Sequence, residues 1–160
     1  MVNAYIGLGS NLDNPIEHIH QAVEDLKILP KSQLILASKL YLSKPVGPQD
    51  QDDFINSVVM LETTLEPLAL LDHLQAIEQS HQRVRERYWG PRTLDLDLLL
   101  FGDLSIQNAR LTVPHAELNK RDFVIGPLYE LCPELALPNG TKIQDLLQHC
   151  PIDGLVCLDS

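Results

Sequence analysis

Residues 94–101 read LDLDLLLF, and the reading of this run as a β-strand decides the fold. Side chains two apart on a strand share a face. Leu94, Leu96 and Leu98 therefore point one way, toward a core, while Asp95 and Asp97 point together the other way. Burying such carboxylates without partners is costly, so the acidic face asks for a function. A turn at Gly102-Asp103 suits a hairpin from this strand to Leu104–Gln107.

Upstream, RVRERYWGPR at 83–92 contains Gly90-Pro91, which excludes a helix and marks a loop. Before it, Glu66-Pro67 opens a helix whose Leu71, Leu74 and Ile77 form one apolar stripe. Phe54 to Thr63 and Leu34 to Leu42 are expected strands, joined by the loop KPVGPQDQDD at 44–53. Asn14-Pro15-Ile16-Glu17 has the form of a helix start, with Asn14 as N-cap, Pro15 first in the helix and Glu17 reaching back. Ile16, Ile19, Val23 and Leu26 follow at helical spacing, and this helix is expected to end near Pro30. Tyr5 to Gly9 reads as the first strand. Downstream, Phe123 to Leu131 is a third helix and Ile143 to His149 a fourth, with Thr141 as its cap. This order predicts an α+β sandwich, an antiparallel-rich sheet with helices packed on it, in a single domain covering 1–160.

The composition bounds the function. At 160 residues, 44% apolar and 21% charged, the chain is long enough for one core. No apolar run approaches the roughly 18 residues of a membrane span. The opening MVNAYIGLGSN lacks the basic and apolar regions of a secretory signal, so a cytoplasmic location is expected. A net charge of −10 disfavours nucleic acid or an anionic membrane as partner. Cys132, Cys150 and Cys157 are odd in number and form no CxxC, which argues against a disulfide framework and a zinc site.

All six arginines, at 83, 85, 87, 92, 110 and 121, fall within 83–121, whereas the six lysines spread from Lys27 to Lys142. Guanidinium groups grip phosphate in a bidentate manner, so the cluster reads either as a polyanion site or as a solvated charged face. An Asp-x-Asp pair alone is a weak signal. With Arg92 three residues before Asp95, a metal and phosphate site explains it better, since Mg²⁺ takes one or two carboxylates plus substrate phosphates. No GxxxxGK[ST] loop occurs, and GLGSN at 7–11 places Leu12 where a dinucleotide fingerprint needs glycine. Gly7 and Gly9 suit close backbone approach instead. Trp89 either stacks on a planar ligand or folds onto the core. His115 either donates to a phosphate or is an ordinary histidine, and His18, His20, His73, His81 and His149 show no ligation spacing.

RYWGPRTLDLDLLLFG, with GPQDQ at 47–51, FIN at 54–56, RLTVPH at 110–115 and a correspondence running from YIGLGSN to PLYELCPEL at 127–135, closely resembles the 6-hydroxymethyl-7,8-dihydropterin pyrophosphokinases of the folate pathway. With no dihydropteroate synthase or aldolase domain attached, the chain resembles the monofunctional form. The resemblance implies a ferredoxin-like α/β sandwich, a monomer without an obligate protein partner, and transfer of pyrophosphate from ATP to the pterin hydroxymethyl group with two Mg²⁺ ions. It implies Asp95 and Asp97 as metal ligands, with Asp95 also orienting the attacking hydroxyl, and Arg83 and Arg92 as catalytic arginines. Gln75, Glu78, Arg85, Trp89, Arg92, Leu98, Arg110, Thr112, His115 and Arg121 match ATP-contacting positions. Ser43, Val46, Phe54, Asn56, Trp89 and Phe123 match pterin positions, Phe54 and Phe123 flanking the ring and Asn56 reading its edge. The chain departs from the family pattern at Tyr88, where an arginine is common, at Ala116, where an aromatic residue often stands, and at Ser43-Lys44, which replaces Thr-Pro. Its loop between Arg85 and Trp89 is one residue shorter than in some relatives. Two other classes compete: a binding protein without turnover, and a two-metal phosphohydrolase, which leaves Trp89, Phe54 and Asn56 unexplained.

Overall fold

The computed structural model describes residues 1–11, 14–43, 54–81, 94–115, 118, 122–149 and 156–158, with side chains from 124 to 148 in the last two helices. Among these residues, β4 (Phe54–Thr63) lies at the centre of a six-stranded sheet. Rich in β-branched and apolar residues, it suits a strand covered on both faces. On one side it pairs antiparallel with β1 (Val2–Ser10), from Val2 opposite Thr63 to Ser10 opposite Ile55. On the other it pairs with β2 (Ser32–Ala37) and then β3 (Leu40–Ser43). The expected Leu34–Leu42 strand is thus two strands on one partner. Ser38 bridges the break: its N–H donates to the Val58 carbonyl at 2.8 Å and its Oγ accepts from Val58 N–H at 2.9 Å. A short β8 (Val156–Leu158) adds to β3.

The deciding run forms β5 (Asp95–Phe101), antiparallel to β1 and at the sheet edge. Leu94, Leu96 and Leu98 join Ala4, Ile6 and Leu8 of β1 in one core, against Ile19, Ala22 and Leu26 of α1 (Pro15–Lys27) and Leu70, Leu71 and Leu74 of α2 (Pro67–His81). Tyr5, Val58 and Leu99 belong to a second core on the opposite face. There they meet Val124, Ile125 and Leu128 of α3 (Asp122–Leu131) and Ile143 and Leu146 of α4 (Ile143–His149). A register shift opposite Tyr5/Ile6 lets both Leu99 and Leu100 face α3 before Phe101 returns to the first core. Such a bulge bends the edge strand.

Three expectations at element ends are corrected. The chain does turn after β5, with Leu104 N–H donating to the Phe101 carbonyl. However, β6 (Ile106–Gln107) pairs with β7 (Thr112–Val113) in a separate small sheet and not with β5. Asn14 sits in the left-handed region (φ 63) and makes no side-chain capping bond, because that backbone turns its amide away from the first-turn N–H groups. Residue 142, not Thr141, precedes α4, and its carbonyl accepts from Leu146 N–H. On α1, Ile16 is 45% exposed while Ala22 is fully buried, so the buried stripe is Ile19, Ala22 and Leu26.

Candidate active site

The sheet register assembles the site. Asp95 lies opposite Gly9, Gly9 opposite Asn56, and Asn56 opposite Tyr41, while Asp97 lies opposite Gly7. Directly opposed residues share a face, so the two aspartates, two glycines and Asn56 line the α3 side in adjacent rows. Both aspartates are half-buried beside fully buried leucines. A Cβ on Gly9 would come within 3.4 Å of Asn56 Oδ1 and 3.9 Å of Phe54 Cδ1, and one on Gly7 within 3.4 Å of Leu99. The glycines therefore leave bare backbone on this face, with room for a methyl and little more.

Asn56, only 4% exposed, donates through Nδ2 to Ser43 Oγ at 2.6 Å. That bond fixes the amide orientation, and Phe54, opposite Ser43 in register, stands beside it. Ser43, Phe54 and Asn56, expected together from the resemblance, are brought together here. Two residues along β3, Tyr41 donates its hydroxyl to Glu130 of α3 at 2.5 Å, and the Lys39 N–H donates to both Glu130 carboxylate oxygens. Burial, then Glu130, then Cys157 push the Tyr41 phenol well above its ordinary range. This clamp holds α3 over the site face. Sequence reading missed it, since Tyr41 and Glu130 lie 89 residues apart.

At the free edge of β5 lies a cavity of about 230 Å³ lined by Asp97, Leu96, Leu98, Leu71, Arg110, Leu111, Thr112 and His115. Leu98, Arg110, Thr112 and His115 are thus gathered beside the aspartate pair. The His115 N–H donates to the Leu99 carbonyl at 3.0 Å, which ties this loop to β5. Arg110 Nη2 donates to Gln75 Oε1 at 3.1 Å and to Asp72 Oδ1 at 2.6 Å, both on α2. Glu78, one turn further along α2, accepts the Leu96 N–H at 2.8 Å and so closes the open backbone edge of β5. Val46, Arg83, Arg85, Trp89, Arg92 and Arg121 lie outside the described residues, as does the Phe123 side chain at the second position of α3.

The histidines show a separate cluster. His18 Nδ1 and His81 Nδ1 are 2.7 Å apart and His81 Nε2 lies 3.1 Å from Asp25 Oδ2, linking α1 to the end of α2. Among the described residues no group of three or more His, Cys, Asp or Glu can hold a metal ion.

The described residues thus form an antiparallel α+β sandwich with two carboxylates on one face of an edge strand, a cavity beside Asp97 that Arg110 lines, and a hydrogen-bonded Asn56–Ser43 pair on the neighbouring strands. Comparison with known proteins identifies the class. The sequence model of the 7,8-dihydro-6-hydroxymethylpterin-pyrophosphokinase (HPPK) family matches residues 5–133. The chain is 51% identical over 93% of its length to the 2-amino-4-hydroxy-6-hydroxymethyldihydropteridine pyrophosphokinase of Haemophilus influenzae, and covers 93% of it. It is 50% identical over 94% of its length to the enzyme of that name from Pseudomonas aeruginosa, again covering 93%. In fold it matches a Plasmodium falciparum HPPK-DHPS triple mutant at a TM-score of 0.76 and 16% identity, over 92% of this chain and 44% of that one. It thus spans less than half of that larger protein. The chain belongs to the HPPK family, with its ferredoxin-like α+β fold.

Proposed function

We propose that this protein is an ATP-dependent pyrophosphokinase of folate biosynthesis that transfers the β,γ-pyrophosphoryl unit of ATP to the hydroxymethyl group of 6-hydroxymethyl-7,8-dihydropterin and releases AMP. The observation that carries the reading is the row from Asp95 through Gly9 to Asn56. It sets a carboxylate pair beside a recess suited to a planar polar ring, in a chain half identical to enzymes of that name.

The residues fit magnesium: two hard carboxylate donors stand on one strand face, about 6.8 Å apart along the strand, and hard cations take one or two carboxylates with phosphate oxygens and water. Bound there, two Mg²⁺ ions would neutralise the triphosphate charge and the charge developing in transfer. Asp95 and Asp97 hold that site, and Asp95 orients the attacking hydroxyl by accepting its hydrogen bond. Arg110, Thr112 and His115 donate to the nucleotide across the β5 edge, and Gln75 keeps the Arg110 fork in place. Asn56, its amide fixed by Ser43, reads the hydrogen-bonding edge of the pterin, while Phe54 and Phe123 cover its faces. Arg83, Arg85, Trp89, Arg92 and Arg121 complete the nucleotide set, and Val46 and Trp89 the pterin set. Positioning and electrostatics supply the acceleration, and no covalent nucleophile is needed. One domain over 1–160, acting as a cytoplasmic monomer, completes the reading.

The test mixes the protein with Mg-ATP and the pterin and separates the nucleotides. AMP formed only in the presence of pterin is the expected result. ADP, pterin-independent ATP loss, or no new nucleotide overturns the reading in favour of a simple kinase, a hydrolase or a binding protein respectively.

A further inference from the structure

Among the described residues Arg110 is the one arginine, and it belongs to two places at once. Its side chain lines the cavity beside Asp97, Thr112 and His115, yet its Nη2 is held by Asp72 and Gln75 on α2. Asp72 and Gln75 are three residues apart, so they stand on one helical face as a pair of acceptors. The backbone of the Arg110 loop is fixed separately, because Asn108 Oδ1 accepts from both the Arg110 and the Leu111 N–H at 2.9 Å. The loop therefore keeps its shape whether or not the guanidinium stays on α2.

The two acceptors differ in kind. Gln75 is neutral and can hold the fork without opposing a second anion. Asp72 is a carboxylate at 2.6 Å, the geometry a phosphate oxygen would take on the same nitrogen. Its side chain is 62% exposed and that of Arg110 46%. An ion pair so open to water is weak and readily exchanged. In a chain of net charge −10, an acid bonded to the arginine that lines the cavity also opposes the approach of a polyanion.

We propose that Asp72 is a resident anion on Arg110, a carboxylate that occupies the guanidinium until a nucleotide phosphate displaces it, and that it thereby sets the affinity for ATP. The proposal rests on the reading of the cavity as a nucleotide site. It assigns Asp72 a negative role in binding, opposite to that of Gln75 beside it.

The test measures binding of the α,β-methylene analogue of ATP with Mg²⁺ by calorimetry, for the wild type, Asp72→Asn and Asp72→Ala, each also in an Arg110→Ala background. Asn keeps an oxygen that can accept from Nη2, whereas Ala keeps none, so the pair separates charge from orientation. Both single variants are expected to bind about two- to five-fold tighter, as the loss of an exposed ion pair allows. The gain is expected to vanish when Arg110 is Ala, the coupling that defines competition for one group. KM for ATP should fall in step while kcat stays unchanged. Weaker or unchanged binding in Asp72→Asn overturns the proposal, and so does an equal gain without Arg110, which would make Asp72 only a part of the general field. Pterin-dependent AMP formation by the wild type is followed in parallel. If AMP forms and Asp72→Asn changes nothing, only this proposal fails; if no AMP forms yet the analogue binds tighter to Asp72→Asn, only the reaction assignment fails.

Discussion

The two faces of the sheet are made by the same strands and could hardly differ more. Along β1, Ala4, Ile6 and Leu8 point toward α1 and α2, into a core with Ile19, Ala22, Leu26, Leu70 and Leu74. Tyr5, Gly7 and Gly9 point the other way. On the first face the alternation fills space, and on the second it empties it. The α1/α2 face thus stabilises the fold, while the α3 face carries, beside its own apolar core, a patch of carboxylates, an amide and bare backbone where Asp95, Gly9 and Asn56 align.

The sharpest way to break this division is Asp97→Asn. The change keeps shape but turns one acceptor oxygen into an NH2 donor and removes the charge that would hold Mg²⁺. Turnover measured as AMP formation should fall by about a thousand-fold, while the thermal midpoint stays within a few degrees. A retained rate would show that the α3 face does not carry the chemistry.

Ile6→Ala makes the mirror-image test one residue from Gly7. Ile6 is fully buried in the α1/α2 core, and truncating it should destabilise the protein by about 2–5 kcal/mol in denaturant unfolding. The rate per folded molecule should remain that of the wild type. If kcat fell as far as stability, the two faces would not be separable.

Gly9→Ala should give a smaller and more selective effect. The new methyl would sit in van der Waals contact with Asn56 Oδ1 at 3.4 Å and Phe54 Cδ1 at 3.9 Å, covering the bare backbone between them. The expected result is a roughly ten-fold rise in KM for the pterin, about 1.4 kcal/mol, with binding of the ATP analogue unchanged. A matching loss of nucleotide binding would place both ligands over Gly9.

Much of this arrangement was legible from local pattern. The period of two in LDLDLLLF put Asp95 and Asp97 on one face, and β4 came out at its expected ends, because both rest on alternation and side-chain type within a few residues. What was not legible depends on partners far along the chain. A β-hairpin at Gly102-Asp103 is sound local turn chemistry, yet Thr112–Val113 won the pairing with Ile106–Gln107. The break at Ser38 needed β4 as the shared partner of β2 and β3, and the Asn14 cap failed on a backbone angle that no side-chain pattern reports. In the site, Ser43, Phe54 and Asn56 meet through register, and Arg110 meets Asp72 across 38 residues. His18, His20, His73, His81 and His149 showed no ligation spacing, and the hydrogen-bonded chain of His18, His81 and Asp25 between two helices was not legible from it. The expectations for Val46, Arg83, Arg85, Trp89, Arg92 and Arg121 fall outside the described residues.

The smallest effect concerns alkaline pH, and it too separates the faces. Tyr5 is a buried phenol on the α3 side, pushed up to about 12 by burial first and by the Cys132 thiol beside it second. The unfolded chain would ionise it near its ordinary value of 10, so above that pH the unfolded state loses the proton before the folded one does. The stability tied to the protonated phenol is therefore fully present below pH 10 and drains away between about 10 and 12. In Tyr5→Phe that part of the alkaline slope should disappear from denaturant midpoints measured across this range, while Ile6→Ala should lower the curve without changing its slope. Phenolate absorbance should show Tyr5 ionising late in the folded protein. If the slope survives unchanged in Tyr5→Phe, the alkaline sensitivity belongs to another group, and Tyr41, a raised phenol on the same face, is the next to replace.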